Sequence, residues 1–219
     1  VNEYISKRLR RILNGKEVFT ITNNYNQVFD NPQLWDTSIK LPYFDGLTLL
    51  TITASYPHKN LEIALKTLDE LHNLEFEKNV RFVFTIKQNQ FPNIPDRYKE
   101  NFVFLGPVTI NQCPPIYTQV DIMFQPSLLE CFSATYVEAM KMGTPIITTD
   151  LGFAHSLCGD AALYYSALDP KDLAQQIIRL GRDKKLADKL INLGKSQLEK
   201  FASAQTRFNK LISILDHHN

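Results

Sequence analysis

The stretch ECFSATYVE, residues 130–138, holds Glu130 and Glu138 eight positions apart around a run rich in Ser and Thr. Eight residues are a little over two turns of helix. Asp121–Pro126 reads as a strand, Ser127–Phe132 as the loop at its carboxyl end, and a helix opens near Ser133–Thr135. Glu130 then sits in a loop, where a carboxylate accepts hydrogen bonds from hydroxyls, and it caps nothing obvious. Glu138 sits one turn into the helix. The free amides of that first turn point back toward the loop, as a phosphate site needs. A plainer reading exists for Glu138, because Thr135 followed by Glu138 matches the S/T-x-x-E capping box.

Three other strand ends carry unusual residues. SYPHKN follows the run Leu47–Ala54 and puts His58, Lys59 and Asn60 at the start of a helix. A cation there is disfavoured by the helix dipole unless an anion lies near, so Lys59 is a candidate anion ligand; alternatively Asn60 is the N-cap and Lys59 a solvated neighbour. GPV, Gly106–Val108, closes another strand with a turn. GTPIITTD, from Gly143, turns a helix into a strand, and Gly152 permits a close backbone approach after it. Turn chemistry alone accounts for both.

The elements that position these residues follow from periodicity. Residues 3–14 read as a helix with Tyr4, Ile5, Leu9, Ile12 and Leu13 at helical spacing, and Val18–Thr22 as a strand. Residues 23–46 are rich in Asn, Asp and Pro and read as a linker or long loop. Strands are expected at 47–54, 80–86, 101–106, 121–126, 145–150 and 162–165. Between and after them come helices at 60–74, around 116–120, at 134–143, over 171–203 in two segments, and at 203–219. Apolar runs without clean alternation imply strands buried on both faces. Strands separated by helices imply right-handed crossovers. The fold class is therefore α/β: a Rossmann-like open parallel sheet with helices on both faces, which binds ligands beyond the carboxyl ends of its strands. We divide the chain into a junction helix, strand and linker (1–44), a Rossmann-like domain (45–200) and a C-terminal helix (201–219). His217 and His218 read as a disordered end.

Composition narrows the function. The 219 residues are 44% hydrophobic and 21% charged, with a formal net charge of +1, so nothing in the charge balance favours nucleic acid or a membrane surface. SKRLRR, Ser6–Arg11, is the one dense basic run and reads as a solvated helix face. Three widely spaced cysteines, Cys113, Cys131 and Cys158, argue against a disulfide framework or a zinc site and fit a reducing, cytoplasmic compartment. No apolar run approaches the roughly 20 residues that span a bilayer. The P-loop, the G-x-G-x-x-G fingerprint and the G-x-S-x-G elbow are all missing.

PSLLECFSATYVEAMKMGTPIITTD resembles the signature of the retaining GT-B glycosyltransferases of family 4, the group 1 transferases, P-S-x-x-E-[GS]-F-[GS]-x-x-x-x-E-A-M-x-x-G-T-P-V-I. YPHKN is similar to that family's donor-phosphate segment, GPV to its nucleobase segment, and CGDAALYYSALDPKDLAQQI to its G-D-A-A-L stretch. The resemblance covers residues 45–200, and these four motifs in the right order, the first holding the paired Glu130 and Glu138 as that family's E-x7-E, make it specific.

The resemblance implies the C-terminal, nucleotide-sugar-binding half of a GT-B fold, partnered by an N-terminal acceptor domain of the same protein. It implies no cofactor and no metal; the nucleotide-diphosphate sugar is a substrate. Glu138 would hold the ribose hydroxyls and Glu130 the donor-sugar hydroxyls. The backbone amides of Cys131, Phe132 and Ser133 would meet sugar and diphosphate. Lys59 would neutralise the departing diphosphate, whose charge grows in the transition state. Val108 would lie beside the base, together with the loop 87–95. Relatives carry an Arg six residues before the Lys; here that place is Thr53, so the phosphate contact would come from elsewhere, with Lys87 a candidate. The implied function is transfer of a hexose with retention, in surface-polysaccharide or lipid-linked sugar synthesis, with any membrane association made through the full-length protein. A non-catalytic nucleotide-sugar-binding module is the alternative. A flavodoxin-like receiver would need an acidic cluster after the first strand, where TITASYPH has none.

Overall fold

The computed structural model describes residues 2–216; His217 and His218 lie outside them. Six strands form one sheet: β1 (Gly46–Thr51), β2 (Asn79–Phe84), β3 (Phe102–Phe104), β4 (Ile122–Gln125), β5 (Ile146–Thr149) and β6 (Ala162–Tyr165). The order is β3-β2-β1-β4-β5-β6 and every pairing is parallel. Chain order therefore reverses between β1 and β4, where Leu49 faces Ile122 and Leu50 faces Met123. That switch point is where such sheets leave a crevice at their carboxyl ends.

Burial on both faces explains why the strands read as continuous apolar runs. Leu49, Phe82, Phe84 and Phe124 enter one core, with α2 (Ile63–Asn73) and α6 (Pro170–Arg182) packed over them. Their neighbours Leu50, Val83 and Met123 enter the other. There they meet α3 (Cys113–Tyr117), α4 (Ala134–Met142) and α5 (Gly152–Cys158). Each fully buried side chain of this size contributes about 1.5–3 kcal/mol of burial free energy.

Local signals set several helix ends. In α1 (Glu3–Ile12) the Asn2 side chain accepts from the Ile5 amide at 3.0 Å, and Arg10 and Arg11 occupy the favourable last turn. Asp169 caps α6 ahead of Pro170. Gly143, at φ 68°, terminates α4 in the left-handed region. Two further helices, α7 (Lys184–Leu198) and α8 (Ala204–Asp216), close the described chain. Among the described residues no helix is long and apolar enough to cross a membrane.

Two expectations are corrected. Among the described residues Val18–Thr22 forms no strand: Arg10 donates to the Val18 carbonyl at 3.1 Å and Lys210 to that of Thr20 at 3.0 Å, so side chains of α1 and α8 bond its carbonyls. The helix expected from Asn60 begins at Ile63. Residues 152–158, to which no element is assigned from the sequence, form α5. Gly152 does allow a close approach, since a Cβ there would sit 2.3 Å from the Tyr4 ring of α1. Residues 23–46 hold only short 3₁₀ turns, yet they are packed: Phe29 is buried edge-on against Tyr117, and the Trp35 indole donates to the Val28 carbonyl at 2.9 Å.

Candidate functional site

A cleft of about 460 Å³ opens at the carboxyl ends of β1 and β2. Thr53, Thr85, Val108, Cys113, Thr135 and Glu138 are among its walls. Glu138 projects from the second turn of α4 and is only 6% exposed. Its described hydrogen bond comes from the fully buried Tyr117 hydroxyl of α3, 3.2 Å from Oε2; the same hydroxyl lies 3.3 Å from the Thr135 carbonyl. Burial pushes the Glu138 carboxyl up to about 7, and the Tyr117 hydroxyl pulls it partly back. A buried carboxylate with so few donors is costly, and its spare lone pairs suit ligand hydroxyls. The capping-box reading does not hold, because Ser133 is the N-cap and no side chain caps α4.

Glu130 stands beside this cleft, in the loop between β4 and α4, and does not line it. Three donors converge on its Oε1: Lys59 Nζ at 2.5 Å, Ser127 Oγ at 2.8 Å and Gln125 Nε2 at 3.0 Å. The side chains of Lys59 and Glu130 are 15% and 10% exposed, so the pair is screened little by solvent. Lys59 ends a 3₁₀ turn, Pro57–Lys59, rather than opening a helix. Asn60 is no N-cap: it is left-handed, at φ 49°, and its side chain donates to the Ala167 carbonyl at 3.2 Å. The Leu128 amide donates to the His58 carbonyl at 2.7 Å, which ties the Lys59 turn to the Glu130 loop. The anion that faces Lys59 is thus Glu130.

The remaining predicted residues separate. Val108 shares the cleft with Glu138. Ser133 is buried, with Oγ 2.8 Å from Thr135 Oγ1. Cys131 is exposed and its carbonyl accepts from the Asn2 amide at 3.1 Å, while the Phe132 ring turns edge-on to Phe201. None of the amides of residues 130–133 donates to an acceptor within the described structure, which leaves the mouth of α4 polar and open. Thr53 lines the cleft, its amide bonded to Thr85 Oγ1 at 2.8 Å. Lys87 lines a separate cleft with Gln88 and Lys99 and is not among the walls that Thr53 shares. Sequence reasoning missed Tyr117 and Gln125. Tyr117 gives no signal within PPIYTQ; Gln125, a polar residue closing the apolar strand IMFQ, is one that could have been found.

Residues 46–183 match the model of a family described as glycosyl transferases group 1. The chain belongs to that family. A curated relative, the O-antigen chain mannosyltransferase RfbU of Salmonella typhimurium, is 24% identical over 174 residues, which are 78% of this chain and 43% of the relative. Among solved structures, sucrose-phosphate synthase from Thermosynechococcus elongatus superposes with a TM-score of 0.75 at 16% identity, covering 100% of this chain and 58% of that one. Anabaena HepE in complex with UDP and glucose superposes at 0.67 and 16% identity, over 79% of this chain and 49% of that one. These likenesses establish the shared Rossmann-like fold. This group 1 glycosyltransferase chain spans less than half the length of RfbU and 58% of the synthase chain.

Proposed function

We propose that this chain binds the donor of a glycosyl transfer, a nucleoside diphosphate hexose, and acts in polysaccharide synthesis with retention of configuration. One observation carries the reading: Glu138, buried with a single described donor, lines a cleft at the carboxyl ends of β1 and β2, next to a Lys59–Glu130 pair at the same end of the sheet. The relatives support it in kind, since RfbU is a mannosyltransferase and HepE was solved with UDP and glucose.

In this reading the ribose hydroxyls donate to Glu138, and the base lies along Val108. The diphosphate reaches the amides of Cys131, Phe132 and Ser133 at the head of α4, where the helix dipole favours negative charge. Lys59 leaves Glu130 for the phosphate. Glu130, released from that cation, accepts from the sugar hydroxyls. As the glycosidic bond to phosphate breaks, charge accumulates on the leaving diphosphate, and Lys59 and the amides stabilise it more than the ground state. Transfer needs an acceptor-binding half, consistent with the greater length of RfbU. This chain alone should bind donor weakly and transfer nothing.

Titration calorimetry with UDP, GDP and ADP tests this. Binding of one of them, lost in Glu138→Ala, is expected; equal binding by parent and variant would remove Glu138 from the site. A second reading, a binding module without catalysis, is favoured by Thr53 and by the absence of Lys and Arg from the described cleft walls. Turnover by a full-length protein would exclude it.

A further inference from the structure

Gln125 closes β4 and is 1% exposed. A buried amide is costly unless both of its ends are bonded. Here they are not. Nε2 lies 3.0 Å from Ser127 Oγ, 3.0 Å from Glu130 Oε1 and 3.3 Å from Ser133 Oγ, so two hydrogens face three acceptors. Oε1 is buried and has no partner. A residue kept for stability would not be left so lopsided. The opposite orientation of the amide is barred, because it would bring Oε1 against a carboxylate oxygen 3.0 Å away. The carboxylate therefore fixes the amide, and the amide in turn fixes the carboxylate.

The consequence lies in which oxygen is used. Lys59, Ser127 and Gln125 all donate to Oε1 of Glu130, while Oε2 accepts nothing among the described residues. Lys59 is the one of the three that the donor diphosphate would draw away. Gln125 and Ser127 come from the rigid end of β4 and its loop and would remain. We propose that Gln125 is a positioning residue: it locks Glu130 by Oε1, so that Oε2 stays presented to a sugar hydroxyl when Lys59 moves to the phosphate. This rests on the donor-binding reading above. It assigns the amide to the hexose end of the ligand and gives it no part at the nucleotide end, since Glu138 is held separately, by Tyr117.

The measurement is the hexose increment: the ratio of the dissociation constants of a nucleoside diphosphate and of its hexose-bearing form. UDP with UDP-glucose and GDP with GDP-mannose are the probes. Gln125→Met keeps the length and removes the donor; Gln125→Glu keeps the length and replaces the donor by an acceptor. Both variants should bind the nucleoside diphosphate within about twofold of the parent, which also reports that they fold. Both should lose about tenfold of the hexose increment, the worth of one hydrogen bond to a charged group. A Gln125→Met that keeps the parental increment overturns the inference and leaves the donor reading standing, as does a loss confined to Gln125→Glu. Equal weakening of diphosphate and diphosphate-hexose also overturns it, because the residue then merely supports the fold. A parent protein that binds diphosphates but shows no hexose increment overturns both this inference and the sugar role of Glu130.

Discussion

Tyr117 of α3 and Glu138 of α4 are joined by a 3.2 Å hydrogen bond in the second core, and that hydroxyl is the sole described donor to a carboxylate held at the foot of the cleft. The carboxylate is consequently poised between its two protonation states near neutrality, with its pKa pushed up to about 7. A nucleotide whose ribose hydroxyls donate to it favours the ionised form. Affinity should therefore rise as pH increases from 6 to 8, with proton release on binding. Calorimetry in two buffers of different ionisation enthalpy measures that release; a flat profile would count against a ribose role.

The same carboxylate makes stability depend on pH. Its pKa is raised from 4.5 in the unfolded chain to about 7 in the folded one, so between those values the folded state binds more protons. The contribution is fully present below pH 4.5 and is lost as pH rises through about 7. Its full size is on the order of 3 kcal/mol. Glu138→Gln should consequently be more stable than the parent at pH 8 and similar at pH 4, as read by urea unfolding, while binding nucleotide more weakly.

Tyr117→Phe removes the donor and leaves the packing. We expect a loss of about 1–3 kcal/mol at pH 8, where the carboxylate is ionised and left unpaired, and less at pH 5. The midpoint of the affinity profile should move to higher pH, because the one interaction that lowers the Glu138 pKa is gone.

Lys59→Met leaves Glu130 buried without its cation. Breaking such a pair from one side costs about 3–5 kcal/mol, and Lys59→Met with Glu130→Gln together should recover most of it. If the double variant is no more stable than the single one, the pair is not the source. In a full-length enzyme the single variant should also transfer sugar about 10²–10³-fold more slowly.

Gly152→Ala tests how α1 is seated. The new Cβ would meet the Tyr4 ring at 2.3 Å, so the ring must move. A destabilisation of about 1–3 kcal/mol is expected, recovered in part by Tyr4→Ala, and thermal melting of the pair measures it.

The sheet was legible because each strand is a short apolar run ended by turn residues, and burial on both faces is what such runs encode. Val18–Thr22 is also apolar and β-branched, yet it forms no strand among the described residues because side chains of α1 and α8 reach its carbonyls, and pairing is not a local property. At Asn60 the sequence offers a good N-cap, yet the αL turn and its bond to the Ala167 carbonyl, 107 residues away, delay the helix to Ile63. Glu130 and Lys59 could be picked out because charged residues at strand ends are conspicuous, and Glu138 by its spacing of eight residues from Glu130. Their supports, Gln125 and Tyr117, are neutral residues whose meaning depends on which atom faces them across the fold.

The first described residue bears on the same loop. Asn2 is 1% exposed, its side chain holds the first turn of α1, and its amide grips the carbonyl of Cys131, adjacent to Glu130. The helix and the carboxylate loop are thus clamped to one another through a single peptide. A displacement of α1 would be levered through that bond onto the loop, and the set of the Glu130 carboxylate would shift with it.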